Sequence, residues 1–147
     1  MSHPLEGQWR SFFLNQSGPP VVDGVFRLEV IDSAGKITRG FHDLAVPAGA
    51  PPISIPLSEG QVVRAGGLGY SVVMEHLEHG STRSKQRYEG VLAFDSNPTE
   101  NRLVMVAVKT RHTTFAPAIS STEVEAAAAL SADSPPQDDG TVIITRP

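Results

Sequence analysis

From Trp9 to His112 apolar side chains recur at every second position, and Gly, Pro, Asn and Asp cut the pattern into short runs. A period of two sends successive side chains to opposite faces of a pleated strand, whereas a helix repeats near 3.6. Many short alternating runs separated by turn residues specify an antiparallel barrel or sandwich. Counting the runs gives seven to eight strands, so the expected fold class is all-β.

The individual runs support this. In Gln8 to Gln16, Trp9, Ser11, Phe13 and Asn15 fall on one face and Arg10, Phe12 and Leu14 on the other. Apolar groups on both sides predict a strand covered on both faces, or one that bends midway. Ser17-Gly18-Pro19-Pro20 ends the run, since proline removes a ladder donor. Phe26, Leu28 and Val30 alternate with Arg27 and Glu29, Asp32-Ser33-Ala34-Gly35 turns the chain, and Lys36 to Phe41 returns as a hairpin partner. Ala45 to Pro56 holds four prolines and cannot be helical, but Ile53-Ser54-Ile55 fits a short edge strand. Gln61 to Ala65, Tyr70 to Glu78, Arg83 to Phe94 and Arg102 to His112 complete the set. In the last, Val104, Val106 and Val108 form one apolar line opposite Leu103, Met105 and Ala107, which marks a central strand.

Charge divides the chain in two. Residues 1–115 carry eleven acidic and eleven basic side chains, whereas residues 116–147 set Glu123, Glu125, Asp133, Asp138 and Asp139 against Arg146 alone. The expected organisation is a β domain over 1–115 and an acidic, flexible tail over 116–147. Within the tail, Ser120 to Ser131 reads as a short helix, residues 134–140 as loop, and Thr141 to Thr145 as a strand that closes the sheet or dangles. A neutral body argues against nucleic acid, because neutralising phosphates needs a basic surface. No stretch approaches the 18 apolar residues of a membrane span, and the start lacks the pattern of a secretory leader, so the expectation is a cytoplasmic chain with no membrane partner. With no cysteine, disulfides, thiolate metal sites and cysteine nucleophiles are all excluded.

Few residues group into chemistry. Glu75-His76-Leu77-Glu78-His79 is the one concentration of metal-ligand types, and on a strand His76 and Glu78 share a face. A catalytic zinc takes three protein ligands, so His76 and Glu78 would need His112 or His42 brought near by the fold. The plainer reading is a polar strand end running into a turn. No Gly-x-Ser-x-Gly elbow is present, and Gly66-Gly67-Leu68-Gly69 lacks the Lys-Ser/Thr of a phosphate-binding loop, so it reads as a bend between strands. Arg83, Lys85 and Arg87 place three cations on one strand face, which suits an anionic partner or the guarded edge of a sheet. Aromatic residues at alternating positions either fill the core or line a cavity, and an eight-stranded barrel permits both.

Leu5-Glu6-Gly7-Gln8-Trp9 resembles the N-terminal signature of the calycins, the lipocalin and avidin-like barrels. That resemblance implies a closed meander in which Trp9 plugs one end against a basic residue from a late strand, with Arg111 as the candidate. The proline-rich stretch 47–56 departs from such a meander. The expected function is a non-catalytic binding module, without cofactor, that holds a small, largely apolar ligand against Trp9, Phe13, Tyr70 and Tyr88. The alternatives are self-association through edge strands or through Val142-Ile143-Ile144, and a small barrel enzyme using His76, Glu78 and His112.

Overall fold

A computed structural model of the chain describes residues 3–14, 21–64, 69–78, 84–94, 103–113 and 137–146. Every regular element among them is a strand: β1 Gly7–Phe13, β2 Val21–Ile31, β3 Ile37–Leu44, β4 Ile53–Pro56, β5 Glu59–Arg64, β6 Tyr70–Leu77, β7 Ser84–Phe94, β8 Leu103–Thr113 and β9 Gln137–Thr145. They form one antiparallel sheet in the order β4-β3-β2-β1-β9-β8-β7-β6-β5. The helix expected over 120–131, the glycine run at 66–68 and the connections at 17–20, 95–101 and 134–136 lie outside the described residues. No described helix is long and apolar enough to cross a membrane.

The sheet curls as a half-barrel, and its two end strands are consecutive in the chain. Two residues join β4 to β5, and the backbone ties the ends together there: Leu57 N donates to Gly40 O at 2.9 Å and Ser58 N to Glu75 O at 2.9 Å. Val62 N donates to Gly35 O at 2.8 Å, beside an isolated bridge between Lys36 and Gln61. The proline-rich stretch therefore does not prevent the sheet ends from meeting. It leads into the crossing at Leu57 and Ser58, with β4 as the short strand at one end of the sheet.

Local chemistry explains the hairpin between β2 and β3. Asp32 Oδ1 accepts from Ala34 N at 3.0 Å and Lys36 N at 2.9 Å, and Gly35 takes a φ of +86°. Only glycine adopts that backbone without strain, and a Cβ here would stand 2.0 Å from Val62 O.

Residues 141–145 close the sheet. Phe13, Phe12 and Ser11 pair with Val142, Ile143 and Ile144, while β8 pairs along the other side of β9. Val142 and Ile144 are buried in the core, a burial worth about 1.5–3 kcal/mol for each side chain. Both edges of β9 are thus occupied within its own sheet. The other face of the row points outward: Val22, Phe12, Ile143, Val106 and Val91 are successive partners across β2, β1, β9, β8 and β7. Val91 and Val106 are each more than half exposed. The apolar line of Val106 and Val108 therefore lies on the outer surface, and Met105 and Ala107 face the core.

One end of the interior is apolar and shut. Leu5 and Trp9 sit over Leu28, Val72, Leu92, Met105 and Ile144, and the space left among these groups is only about 20 Å³. Trp9 Nε1 donates to Leu5 O at 2.9 Å. The Arg146 guanidinium lies 4.3 Å from the Trp9 ring centre, donating to Glu6 O at 3.0 Å and to Pro4 O. Arg146, and not Arg111, is the late basic residue over the tryptophan. Arg111 lies six residues beyond Met105 on β8, roughly 20 Å along a strand, and pairs with Glu78 at 3.3 Å. Gly7, at φ +127°, leaves room for the arginine, since a Cβ would come within 2.7 Å of Arg146 Nη1.

Candidate functional site

The inward face changes character along the strands. On β1 it runs Trp9, Ser11, Phe13; on β6 Val72, Met74, His76; on β8 Met105, Ala107, Lys109. The apolar half ends at the layer of Phe26 and Met74, and beyond it lies a buried polar cluster under an open cavity of about 380 Å³.

A β-bulge delivers the central carboxylate. Ser11 pairs with Gly24 but the next residue, Phe12, pairs with Val22, so Asp23 is the extra residue on β2. A bulge breaks strict alternation and re-aims a side chain, here turning Asp23 inward beside Gly24. Tyr88 OH donates to Asp23 Oδ2 at 3.0 Å, and Ser11 Oγ lies 3.4 Å from the same oxygen. Lys109 Nζ stands 3.3 Å from Asp23 Oδ1, with the ring centres of Phe13 at 4.4 Å and Tyr88 at 5.4 Å. Ammonium, carboxylate and ring faces balance one another in a largely buried cluster.

Two histidines complete the cluster. His42 of β3 stacks on Phe26, with centroids 3.9 Å apart and planes 3° from parallel. Its Nδ1 lies 2.9 Å from His76 Nε2, and His76 Nδ1 lies 2.8 Å from Leu77 O. A carbonyl only accepts, so His76 carries its proton on Nδ1 and accepts at Nε2. His42 therefore donates from Nδ1, and its Nε2 can accept the single Ser11 hydroxyl proton, 3.4 Å away, in place of Asp23 Oδ2. In this pattern both rings are neutral, as their burial favours. Burial pushes the His42 pKa down to about 2, aided by the neighbouring His76 and Lys109. Burial likewise lowers His76 to about 4, with Lys109 adding to the effect, against the Leu77 hydrogen bond and Asp23. Gly24 makes the close approach possible, because a Cβ there would lie 2.8 Å from His42 Nε2.

The cavity opens above this cluster. Phe13, Leu44 and Tyr88 give it apolar wall, and His76, Gln86 and Lys109 contribute polar groups. Of the four aromatic residues expected to hold a ligand, Phe13 and Tyr88 line this space. Trp9 caps the packed end, and Tyr70 lies against the core beside His3, with ring centres 6.3 Å apart. His76 and Glu78 do share the inner side and both line the cavity. Each His76 nitrogen already has a partner, Glu78 pairs with Arg111, and no three His, Asp or Glu groups among the described residues could hold a metal ion. The side chain of His112 lies outside the described residues.

The cations of β7 serve another purpose. Lys85 Nζ and Arg87 Nη1 reach the two oxygens of Glu75 on β6 at 2.9 and 2.8 Å. Burial raises the Glu75 pKa, but hydrogen bonds and charge from Lys85 and Arg87 outweigh it and hold the carboxyl below its usual range. Since β7 is flanked by β6 and β8, its cations guard no sheet edge.

Sequence reasoning missed Asp23, Gln86 and Lys109, and gave Ser11 no role. The available signals were Asp23-Gly24 inside a β-prone run, a glycine that marks a bulge or close approach, and Lys109 on the same face as Met105 and Ala107. No protein-family model matches the chain, and no curated protein matches it at a significant level.

Proposed function

We propose that the chain is a binding module that holds a small, largely apolar molecule in the open end of its curled sheet. The supporting observation is the division of the interior, with about 20 Å³ at the Trp9 end and about 380 Å³ at the Phe13–Tyr88 end. Ligand cavities commonly begin near 300 Å³ and combine apolar wall with a few polar groups. Arg146 over Trp9 gives the closed end the plug expected of a calycin-like barrel, and supports that reading of the fold. Ser11 and His42 are fully buried, so they serve better as supports for the cavity floor than as a nucleophile and its base.

A neutral dye that brightens in apolar surroundings, N-phenyl-1-naphthylamine, tests this directly. The native chain is expected to give saturable brightening. Ala45→Trp, at an exposed position on the cavity wall, should weaken binding by about tenfold, the effect of a steric clash near 1.4 kcal/mol, and leave the melting temperature unchanged. Absence of saturable brightening in the native chain refutes the proposal.

The outward row of Val22, Phe12, Ile143, Val106 and Val91 favours a second reading, self-association by packing of these outer faces. Light scattering on the native chain should then give twice the chain mass, and Val106→Lys should give a monomer. A native monomer at high concentration removes this reading.

A further inference from the structure

We infer, resting on the cavity reading above, that the ligand is an aromatic molecule carrying a carbonyl acceptor and an adjacent N–H donor, a lactam or comparable heterocycle. Two groups on the cavity wall have unused and opposite hydrogen-bonding capacity. Gln86 is only 5% exposed, and its Oε1 has no hydrogen-bond partner among the described residues. Native proteins rarely leave such an acceptor unmatched, because it has lost water and gained nothing. Lys109 is the complement. Among the described residues its hydrogen-bond partner is Asp23 Oδ1 at a long 3.3 Å, which leaves N–H groups for a ligand.

The register brings the two groups within reach of one small molecule. Gln86 pairs with Arg111 and Tyr88 with Lys109, so Gln86 and Lys109 are diagonal neighbours on the inner face. Such neighbours stand roughly 7 Å apart, a gap that a C=O and an adjacent N–H can bridge. Lys109 donates to the carbonyl, and Gln86 accepts the N–H once its amide turns about the last side-chain bond toward the cavity. The rings of Phe13 and Tyr88 flank the ammonium, and the partly buried Phe13 ring supplies a surface for a planar body. Net charge at the wall argues against a simple anion, since Asp23 neutralises Lys109 and Glu78 also lines the cavity.

Three probes of one shape separate these contributions: 2-quinolone, N-methyl-2-quinolone and naphthalene, each competed against N-phenyl-1-naphthylamine on the native chain. The expected order places 2-quinolone about tenfold tighter than its N-methyl form, as one buried hydrogen bond provides, with naphthalene weakest. Gln86→Leu should abolish the preference for the free N–H while still binding naphthalene. This variant is also expected to melt no lower than the native chain, because Oε1 makes no hydrogen bond to lose. Should it fail to fold, the order of the three probes on the native chain decides alone. Equal binding of all three overturns the lactam assignment and leaves the cavity reading standing, as does a preference that survives in Gln86→Leu. If neither the dye nor any probe binds, both readings fall.

Discussion

Lowering the pH from 7.5 to 5 is expected to remove about 4 kcal/mol of folding stability, roughly 2 kcal/mol from each of His42 and His76. The folded values, about 2 for His42 and about 4 for His76, both lie below the 6.5 of an ordinary histidine. Between those limits the unfolded chain binds more protons than the folded one. The stabilisation is thus complete above about pH 6.5 and is lost as pH falls toward the folded values. Such a loss is a large part of the 5–15 kcal/mol that holds a typical domain together. Asp43 and Glu75 act in a separate window. Burial raises both, but Arg27 holds Asp43 below its usual range, with Ser54 assisting, and Lys85 and Arg87 do the same for Glu75. Their contribution is present above the ordinary carboxylate range and disappears only as pH falls below about 4. Urea unfolding at half-unit steps of pH distinguishes the two. A midpoint that stays level from pH 7.5 to 5 and drops only below pH 4.5 would show that the histidines carry none of the dependence.

The second large effect is expected at Gly24. Replacement by alanine would put a methyl group 2.4 Å from Asp43 O and 2.8 Å from His42 Nε2. Neither neighbour gives way cheaply, since one is the backbone of β3 and the other is held by Phe26 and His76. Forced overpacking of this kind costs about 3 kcal/mol, or roughly 10 °C in melting temperature for a chain of this size. Gly49→Ala is the matched control. Nothing lies within 4 Å of a Cβ at Gly49, and its φ of +85° brings only local backbone strain, worth about 1 kcal/mol. Calorimetry on the two variants should rank them clearly. Equal losses at the two positions would mean that His42 does not pack against β2 as described.

The fold was legible because a period of two is a local signal. Trp9, Ser11 and Phe13 all face inward as alternation requires, and the Asp32–Gly35 turn makes the bonds that its residue types favour. Of the two readings of residues 141–145, the structure takes the one that closes the sheet and buries Val142 and Ile144. What could not be read depends on how many residues face each other across two strands. The bulge that turns Asp23 inward exists only as a mismatch between β1 and β2, and neither strand alone reveals it. Distance in sequence hid the rest: His42 and His76 come from β3 and β6, near opposite ends of the sheet order. Without closure of the half-barrel their side chains do not meet. The four aromatic residues looked equivalent by alternation, and only the position of each along its strand separates Phe13 and Tyr88 from Trp9 and Tyr70. Arg146 escaped notice for a similar reason, since a basic residue after a strand in an acidic tail carries no mark of the tryptophan it covers.

Beneath the cavity two uncharged imidazoles are locked in one hydrogen-bonded chain from Ser11 to Leu77. Long-range proton–nitrogen correlation spectra of the histidine rings, recorded at pH 6, test it most directly. The expected spectrum shows His42 and His76 neutral, both with the proton on Nδ1 and neither titrating between pH 8 and 5. Midpoints near 6.5 for these two rings, or a proton on Nε2 of either one, would contradict it.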